Sequence, residues 1–149
     1  MAVRKAGTEH GRGRVIGIDL VDVEPLPGAD FKVLDFMASD APLLLKDWLG
    51  GRADVVLSDM AANATGHRKT DHLRIMALAE AASQFAREVL AAGGTFLCKV
   101  LQGGTEATLL LELKRDFESV KHVKPPASRS DSAELYLLAR GFRHRSRKD

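Results

Sequence analysis

The sequence predicts an α/β fold in which a mostly parallel sheet is covered by helices on both faces. Short β-rich runs alternate with helical stretches along the chain, which is the pattern of such a sheet. Several of these runs end in an acidic residue, at the sheet edge where open α/β folds bind ligands. A length of 149 residues suits one core. We therefore expect a single domain over residues 1–149.

The strands and the first helix are predicted from local patterns. Predicted strands cover residues 14–20, 31–36, 95–101, 119–123 and 134–140, and a further strand ends at Asp59. Residues 42–49 are predicted to form a short helix, because Gly50 and Gly51 follow it as C-terminal glycines.

Two more helices are predicted from the spacing of apolar residues. The first begins near Asp71 as its N-cap and ends at Gly93 and Gly94. Its apolar residues recur at every fourth position and form one stripe expected to face the core: Leu73, Ala77, Ala81, Phe85 and Val89. The second helix covers four apolar residues farther along the chain: Leu109, Leu110, Leu113 and Phe117.

Composition and cysteine content indicate an ordinary globular protein of a reducing compartment. The hydrophobic fraction of 45% and the charged fraction of 28% are typical of such proteins. No apolar run approaches the roughly 18 residues that span a bilayer, and no basic-then-apolar leader is present. The single cysteine, Cys98, excludes an internal disulfide, and we expect it to be a small core residue. We therefore expect a cytoplasmic protein.

Basic residues are clustered although the net charge is only +2. One cluster comprises Lys114, Arg115, Lys121, Lys124 and Arg129, and the other comprises Arg140, Arg143, Arg145, Arg147 and Lys148. Such patches attract phosphate backbones through sequence-independent electrostatics. We expect residues 143–149 to form a basic, flexible tail, and the alternative to a binding role for this tail is simple solvation.

Three carboxylates are expected at one edge of the sheet. Asp19, Asp35 and Asp59 each end a predicted strand, and the carboxyl ends of parallel strands share an edge. A strand-end acid can accept hydrogen bonds from ribose hydroxyls, and Asp35 could similarly accept one from an exocyclic amine of adenine. Each acid taken alone could instead be only a turn or helix cap. The presence of acids at three successive strand ends weakens this alternative.

Lys99 is unusual because it lies inside an apolar strand. Burial favours the neutral form of a lysine and lowers its pKa, which would make Lys99 a usable general base or a positioned donor. The alternative is a lysine that reaches solvent from the strand end. Glu134 begins the last apolar strand and could pair with Lys99 or orient it. Asp59, Lys99 and Glu134 therefore form the predicted catalytic group.

Other common sites find little support in the sequence. The five histidines show no metal-ligand spacing, so we expect no metal site. Gly11 and Gly13 precede a strand instead of following one, which does not match a dinucleotide-binding fingerprint. A nucleotide- or NAD-binding domain is nevertheless an alternative, since strand-end acids serve there too.

Several segments together resemble one known family. They are Val15-Ile16-Gly17-Ile18-Asp19-Leu20, Leu34-Asp35-Phe36, Ser58-Asp59-Met60-Ala61-Ala62-Asn63, Phe96-Leu97-Cys98-Lys99-Val100 with Gln102-Gly103, and Lys124-Pro125-Pro126-Ala127-Ser128-Arg129 through Glu134-Leu135-Tyr136. In this order and spacing they resemble the FtsJ/RrmJ (RlmE-type) family of 23S ribosomal RNA ribose 2′-O-methyltransferases. The resemblance implies a Rossmann-like S-adenosylmethionine-dependent methyltransferase fold. It also implies methylation of a uridine ribose in 23S rRNA of the large ribosomal subunit, by a monomer without metal or membrane.

The resemblance also assigns roles to the candidate residues. Asp19 would lie by the cofactor ribose, Asp35 and Phe36 by its adenine, and Asp59 by its methionine end. Lys99 would be the base or orienting residue for the ribose 2′-hydroxyl, and Glu134 would complete the site. Four basic residues are candidates for contacts with RNA phosphate: Lys124, Arg129, Arg143 and Arg145.

The sequence departs from the family at its beginning. The family has an N-terminal catalytic lysine, a first strand and a turn of the form Gly-Ala-x-Pro-Gly-Gly-Trp, which are absent here. Residues 2–7 resemble the end of the helix after that turn, so we expect the chain to begin inside the first βα unit, with Met1 an internal methionine. The missing strand would leave its two neighbours with unpaired edges. The alternatives are that residues 1–13 fill this gap, or that the chain is an inactive remnant that only binds RNA or the ribosome.

Overall fold

The computed structural model describes residues 2–5, 13–60, 66–101, 107–124 and 134–143, with the backbone alone described for residues 2–5, Arg68 and Glu134. The described elements, in chain order, are β1 (Ala2–Lys5), β2 (Arg14–Asp19), β3 (Ala29–Val33), α1 (Ala41–Leu49), β4 (Ala53–Ser58), α2 (Arg68–Val89), β5 (Leu90–Leu101), α3 (Ala107–Asp116), β6 (Phe117–Val123) and β7 (Glu134–Phe142).

The seven described strands form one sheet in the order β3-β2-β1-β4-β5-β7-β6. The pairs β2–β3 and β4–β5 are parallel. The pairs that involve β1 or β7 are antiparallel. Because β1 and β7 alone run against the rest, the other five strands point in one direction. The sheet is thus mixed, and the carboxyl ends of β2, β3, β4 and β5 meet at one edge, as the α/β prediction requires.

The N-terminal residues correct one prediction. Ala2–Lys5 is the central strand β1 and not the end of a helix. It pairs with β2 on one side, where Val3 lies opposite Ile16, and with β4 on the other, where Val3 lies opposite Val56. Backbone groups buried in a sheet need hydrogen-bond partners, and β1 supplies them to both neighbours. The alternative that the N-terminal residues fill the gap is therefore correct, with the strand antiparallel.

The three described helices share one core on one face of the sheet. Val56, Phe96 and Ala139 lie opposite one another across β4, β5 and β7, and all three are buried. They join one cluster with apolar residues of each helix, including Leu45 of α1, Phe85 of α2 and Leu113 of α3. Lys46 of α1 forms an ion pair with Glu88 of α2, and Arg87 of α2 pairs with Glu112 of α3 at 3.5 Å.

The opposite face of the sheet is covered less completely. Its residues alternate with the core residues along each strand, as the pleat requires. Val55, Leu97 and Leu138 on this face are partly exposed, and Leu57 is 41% exposed. Helices were predicted on both faces of the sheet, but those in the described part of the chain lie on one face only.

Helix α2 differs from its predicted form at both ends. It begins after His67 and ends at Val89, so neither Asp71 nor the glycine pair bounds it. The predicted stripe holds in the second half of the helix, where Phe85 and Val89 are buried. It fails in the first half, where Leu73 is 54% exposed and the buried residues are Ile75, Met76 and Ala79. Gly93 and Gly94 lie instead in β5, where the pairing with β4 is irregular: Ala53 lies opposite Leu90, but Val55 lies opposite Thr95.

The other elements differ from prediction mainly at their ends. Strand β3 begins and ends earlier than the predicted residues 31–36. Phe117 begins β6 instead of ending α3, and its ring packs on Phe142 of β7 at 5.2 Å between centroids. Cys98 is buried as expected, and burial raises the pKa of its thiol to about 12. No helix in the described ranges is long and apolar enough to cross a membrane.

Candidate active site

The three strand-end carboxylates meet at one cavity. Asp19 ends β2, Asp35 follows β3 and Asp59 follows β4, and the strand order places these ends side by side. All three line a cavity of about 330 Å³. Its remaining lining is largely apolar: Ile18, Leu20, Leu34, Phe36, Met37, Met60 and Leu78. The cavity is therefore an apolar cleft with three acceptors at its rim.

Two of these carboxylates are oriented by the backbone. Asp19 Oδ1 accepts a hydrogen bond from the Val21 amide at 3.2 Å, and Asp35 Oδ1 accepts one from the Met37 amide at 2.9 Å. Both are side-chain caps of the turn that follows a strand. The cap and the binding interpretations are thus compatible, because the same bonds that stabilise the turns fix the carboxylates at the cavity.

Phe36 forms an apolar wall of the cavity and anchors it to the core. Its ring is buried and packs edge-on against Phe85 of α2, with 5.6 Å between centroids and 83° between planes. Edge-to-face pairs of this kind are favourable beyond their buried area. Helix α2 therefore holds this wall in place.

A second group of polar residues begins at Asp59. Asp59 Oδ1 accepts a hydrogen bond from the Tyr136 hydroxyl at 2.6 Å and forms an ion pair with Lys99 Nζ at 3.0 Å. Partial burial raises the pKa of Asp59, but the Tyr136 and Lys99 hydrogen bonds outweigh it and hold the pKa below its ordinary value. The carboxylate is consequently ionised and bridges two strands.

The register of the sheet explains why these residues meet. Lys99 of β5 lies directly opposite Tyr136 of β7, and Asp59 follows β4, the other neighbour of β5. The Lys99 side chain is 13% exposed and that of Asp59 is 69% exposed. Lys99 is thus neither isolated in the core nor extended into solvent, since it is mostly buried and paired. We call Asp59, Lys99 and Tyr136 the catalytic row, because two of the three belong to the catalytic group predicted from the sequence.

The remaining predicted site residues are placed less completely. Glu134 lies opposite Leu101, two positions along β7 from Tyr136, and its side chain lies outside the described part of the chain. Lys124 and Arg143 are exposed and follow opposite ends of the paired strands β6 and β7, so the structure does not bring them together. Arg129 and Arg145 lie outside the described residues.

Comparison with known proteins decides the family. The family model for FtsJ-like methyltransferases matches residues 1–142. The chain belongs to this family.

Curated relatives of this FtsJ-like chain are closely similar and longer. It is 64% identical over 143 residues to the ribosomal RNA large subunit methyltransferase E of Xanthobacter autotrophicus, covering 96% of this chain and 56% of that protein. It is 58% identical over 149 residues to the protein of the same name from Rhodopseudomonas palustris, covering 100% and 63%. The FtsJ-like chain thus spans about three fifths of the length of the curated relatives it matches.

Solved structures support the FtsJ-like fold. A Plasmodium falciparum protein described as a ribosomal RNA methyltransferase superposes with a TM-score of 0.72 at 27% identity, covering 85% of this chain and 71% of that one. The N-methyltransferase NodS of Bradyrhizobium japonicum, in complex with S-adenosyl-L-homocysteine, gives a TM-score of 0.51 at 13% identity, covering 86% and 66%. At that identity the second likeness shows the fold alone.

Tyr136 is the site residue that was not predicted to act. It is the one tyrosine of the sequence and lies in an apolar strand two positions from Glu134. Residues two apart in a strand point to the same face. The prediction that Glu134 faces the site therefore implied that Tyr136 faces it too. The sequence did not indicate the bond to Asp59, because Asp59 lies 77 positions from Tyr136.

Proposed function

We propose that this chain binds S-adenosylmethionine in the cavity at Asp19, Asp35 and Asp59. We further propose that it acts, as a cytoplasmic monomer, in 2′-O-methylation of a uridine ribose in 23S rRNA of the large ribosomal subunit. The observation that carries the proposal is the catalytic row, in which Asp59 binds both Lys99 and Tyr136 beside that cavity. The names of the curated relatives support an rRNA substrate.

The residues of the cavity fit the cofactor. Small-molecule sites are concave, mostly apolar and about 300–1,000 Å³ in volume, with few polar groups. A volume of about 330 Å³ meets that description. Asp19 would accept hydrogen bonds from the ribose hydroxyls and Asp35 from the adenine amine, while Phe36 would contact the adenine ring. Asp59 would lie toward the methionine portion.

The catalytic row provides groups that could position the substrate hydroxyl. S-adenosylmethionine supplies an electrophilic methyl group on a sulfonium when it is bound. Lys99 Nζ would orient the ribose 2′-hydroxyl by a hydrogen bond or, when unprotonated, take its proton. Asp59 holds Lys99 in place, and the Tyr136 hydroxyl donates a hydrogen bond to the same oxygen of Asp59. Glu134 is proposed to complete the row. Reactions of this kind gain most of their rate from such positioning.

Substitution of Lys99 tests the proposal. We expect Lys99→Ala to lower methyl transfer to 23S rRNA by about 10²- to 10⁴-fold, the range typical of a lost general acid or base. Binding of S-adenosylmethionine, measured by calorimetry, should change little, because Lys99 does not line the cavity. The exposed Lys69→Ala, outside both basic clusters, is the control for loss of one positive charge. Absence of cofactor binding by the unsubstituted chain would defeat the assignment.

A second candidate function is RNA binding without methyl transfer. The exposed basic residues of β6 and β7 favour it, because Lys121 and Arg140 could contact phosphate without help from the catalytic row. This candidate predicts salt-sensitive RNA binding that is unchanged by Lys99→Ala, together with no labelled methyl group in the RNA. Detectable transfer that depends on Lys99 would exclude it.

A further inference from the structure

Two cations share a small concavity on the less covered face of the sheet. The concavity has a volume of about 110 Å³ and is lined by Ser119 and Lys121 of β6 with Leu138 and Arg140 of β7. In the register, Lys121 lies opposite Leu138 and Ser119 lies opposite Arg140. Lys121 and Arg140 are therefore diagonal neighbours, with their Cα atoms about 7–8 Å apart. Both are exposed.

The surroundings of this pair carry no opposing charge. The cross-strand rows that include Lys121 and Arg140 continue into β5 and β4 as Leu97, Leu57, Thr95 and Val55. None of these positions is acidic. The side chain of Glu118, the nearest acid along β6, lies beside Gly141. Within the described part of the chain, the two cations therefore lack a carboxylate partner.

The concavity lies on the same face as the catalytic row. Tyr136, Leu138 and Arg140 alternate along β7, so their side chains leave the same side of the sheet. Arg140 is four residues from Tyr136, which corresponds to about 13 Å along a strand. A stacked nucleic-acid strand rises about 3.4 Å per nucleotide, so this distance is about four nucleotides. Leu138 forms an apolar floor between the two positions.

We propose that Lys121, Arg140 and Ser119 bind a backbone phosphate of the RNA substrate, about four nucleotides from the ribose at the catalytic row. A water molecule occupies about 30 Å³ of the liquid. The concavity, with a volume of about 110 Å³, therefore has space for the oxygen atoms of one phosphate group. Arg140 presents a planar fork suited to phosphate oxygens, Lys121 adds a point charge, and the Ser119 hydroxyl donates a hydrogen bond. The inference rests on the proposed function for the identity of the RNA.

The test measures RNA binding by the full chain. A fluorescent single-stranded RNA of about 20 nucleotides is titrated at salt concentrations from about 50 to about 200 mM. We expect Lys121→Ala combined with Arg140→Ala to weaken binding about tenfold and to reduce the salt slope by about 0.7, the value for one neutralised phosphate of a single strand. The control, Lys69→Ala with Arg74→Ala, removes the same charge from exposed positions of α2 that belong to neither basic cluster, and it should change binding less than about twofold.

The outcomes separate this inference from the proposed function. Lys121→Arg with Arg140→Lys should restore most of the affinity, because both charges are kept. An unchanged salt slope in the alanine pair, or an equal loss in the control pair, would overturn the phosphate site. So would binding of inorganic phosphate at this pair without binding of RNA. Failure of the unsubstituted chain to bind S-adenosylmethionine would defeat the proposed function but leave the RNA result readable.

Discussion

At the scale of single residues, one oxygen atom connects the site. Asp59 Oδ1 accepts a hydrogen bond from the Tyr136 hydroxyl and forms an ion pair with the Lys99 ammonium group. Sequence reasoning could select Asp59 and Lys99, because an ionisable residue in or after an apolar strand needs an explanation. It could not select Tyr136 with equal force, since a tyrosine is ordinary in a strand. Only the strand register brings its hydroxyl to Asp59.

Removing the Tyr136 hydroxyl should change the acidity of Asp59. The Tyr136 hydrogen bond lowers the pKa of Asp59 against the raising effect of burial. We therefore expect Tyr136→Phe to raise the pKa of Asp59, as measured by NMR titration of its carboxyl carbon. Methyl transfer should fall about fivefold, corresponding to about 1 kcal/mol for a hydrogen bond to a charged group that is largely exposed. An unshifted titration curve would contradict the assigned bond.

Ser83 illustrates a residue whose polar group is unsatisfied in the core. It is fully buried in α2, and its Oγ lacks a hydrogen-bond partner among the described residues. Leaving such a group unpaired costs about 1–3 kcal/mol. We expect Ser83→Ala to raise the free energy of unfolding by about 1 kcal/mol, measured by urea denaturation. The exposed Ser119→Ala should stay within about 0.5 kcal/mol of the original chain, and a loss of stability at Ser83 would disprove the interpretation.

At the scale of elements, types were predicted more accurately than ends and faces. The strand at β2 and the helix α1 follow strong local patterns and match closely. In α2 the apolar residues are frequent enough to fit several stripes, and the buried one is set by the strands beneath it. The predicted stripe was therefore wrong at Leu73 but right at Phe85 and Val89. A glycine pair can end a helix or break the regular pairing of a strand, and here β5 already continues from Leu90.

Gly94 is required by space in β5. A Cβ atom at this position would lie 2.9 Å from the Ala91 carbonyl oxygen, 2.9 Å from Leu90 Cδ2 and 3.2 Å from the Asp54 carbonyl oxygen. Two of these neighbours are backbone atoms that cannot move cheaply. We expect Gly94→Ala to lower the free energy of unfolding by about 1–3 kcal/mol, the usual cost of overpacking. Thermal and urea denaturation would measure it.

The neighbouring glycine supplies the control for that prediction. Gly93 has φ of +82° and open space around its Cα, so its constraint is conformational and not steric. Asparagine tolerates this conformation better than alanine does. Gly93→Asn should therefore cost less than Gly93→Ala, whereas Gly94→Asn should cost more than Gly94→Ala. The same order at both positions would show that the two glycines are needed for one reason.

At the scale of the whole molecule, the sheet was predictable and its centre was not. The acids at the ends of β2, β3 and β4 indicated a shared edge, and the strand order places them there. The role of Ala2–Lys5 depends on the unpaired edges of two strands. Strand β2 lies at least eight residues away in sequence, and the partners in β4 lie at least fifty residues away. A four-residue segment contains too little pattern to reveal that demand.

An ionic network holds the helix layer and should make stability depend on pH. Burial raises the pKa of Asp116, but hydrogen bonds and charge from Arg115 and Arg87 hold it below its ordinary value. A carboxylate with a lowered pKa stabilises the fold above the ordinary pKa of about 4 and loses this contribution as the pH falls further. We expect the melting temperature to fall when the pH is lowered below about 4.

Substitution of Asp116 isolates this effect. Asp116→Asn should lower the free energy of unfolding near neutral pH by about 1.5–3 kcal/mol, because hydrogen bonds to a charged group are lost. Its melting temperature should also depend less on pH in the acid range. The exposed Asp47→Asn is the matched control. An acid transition that is identical in the Asp116 variant and the original chain would show that other carboxylates cause it.

The position of β1 has a consequence for folding order. Strands β2 and β3 form one half of the sheet, strands β4 to β7 form the other, and β1 is the strand that joins them. Val3 of β1 pairs with Val56 of β4, which lies more than fifty residues away in sequence. Contacts so distant in sequence form slowly because the intervening loop must close first. The two halves can therefore collapse separately, and the amides of Val3 and Arg4 should gain hydrogen-exchange protection in the last cooperative step, when the two half-sheets become one.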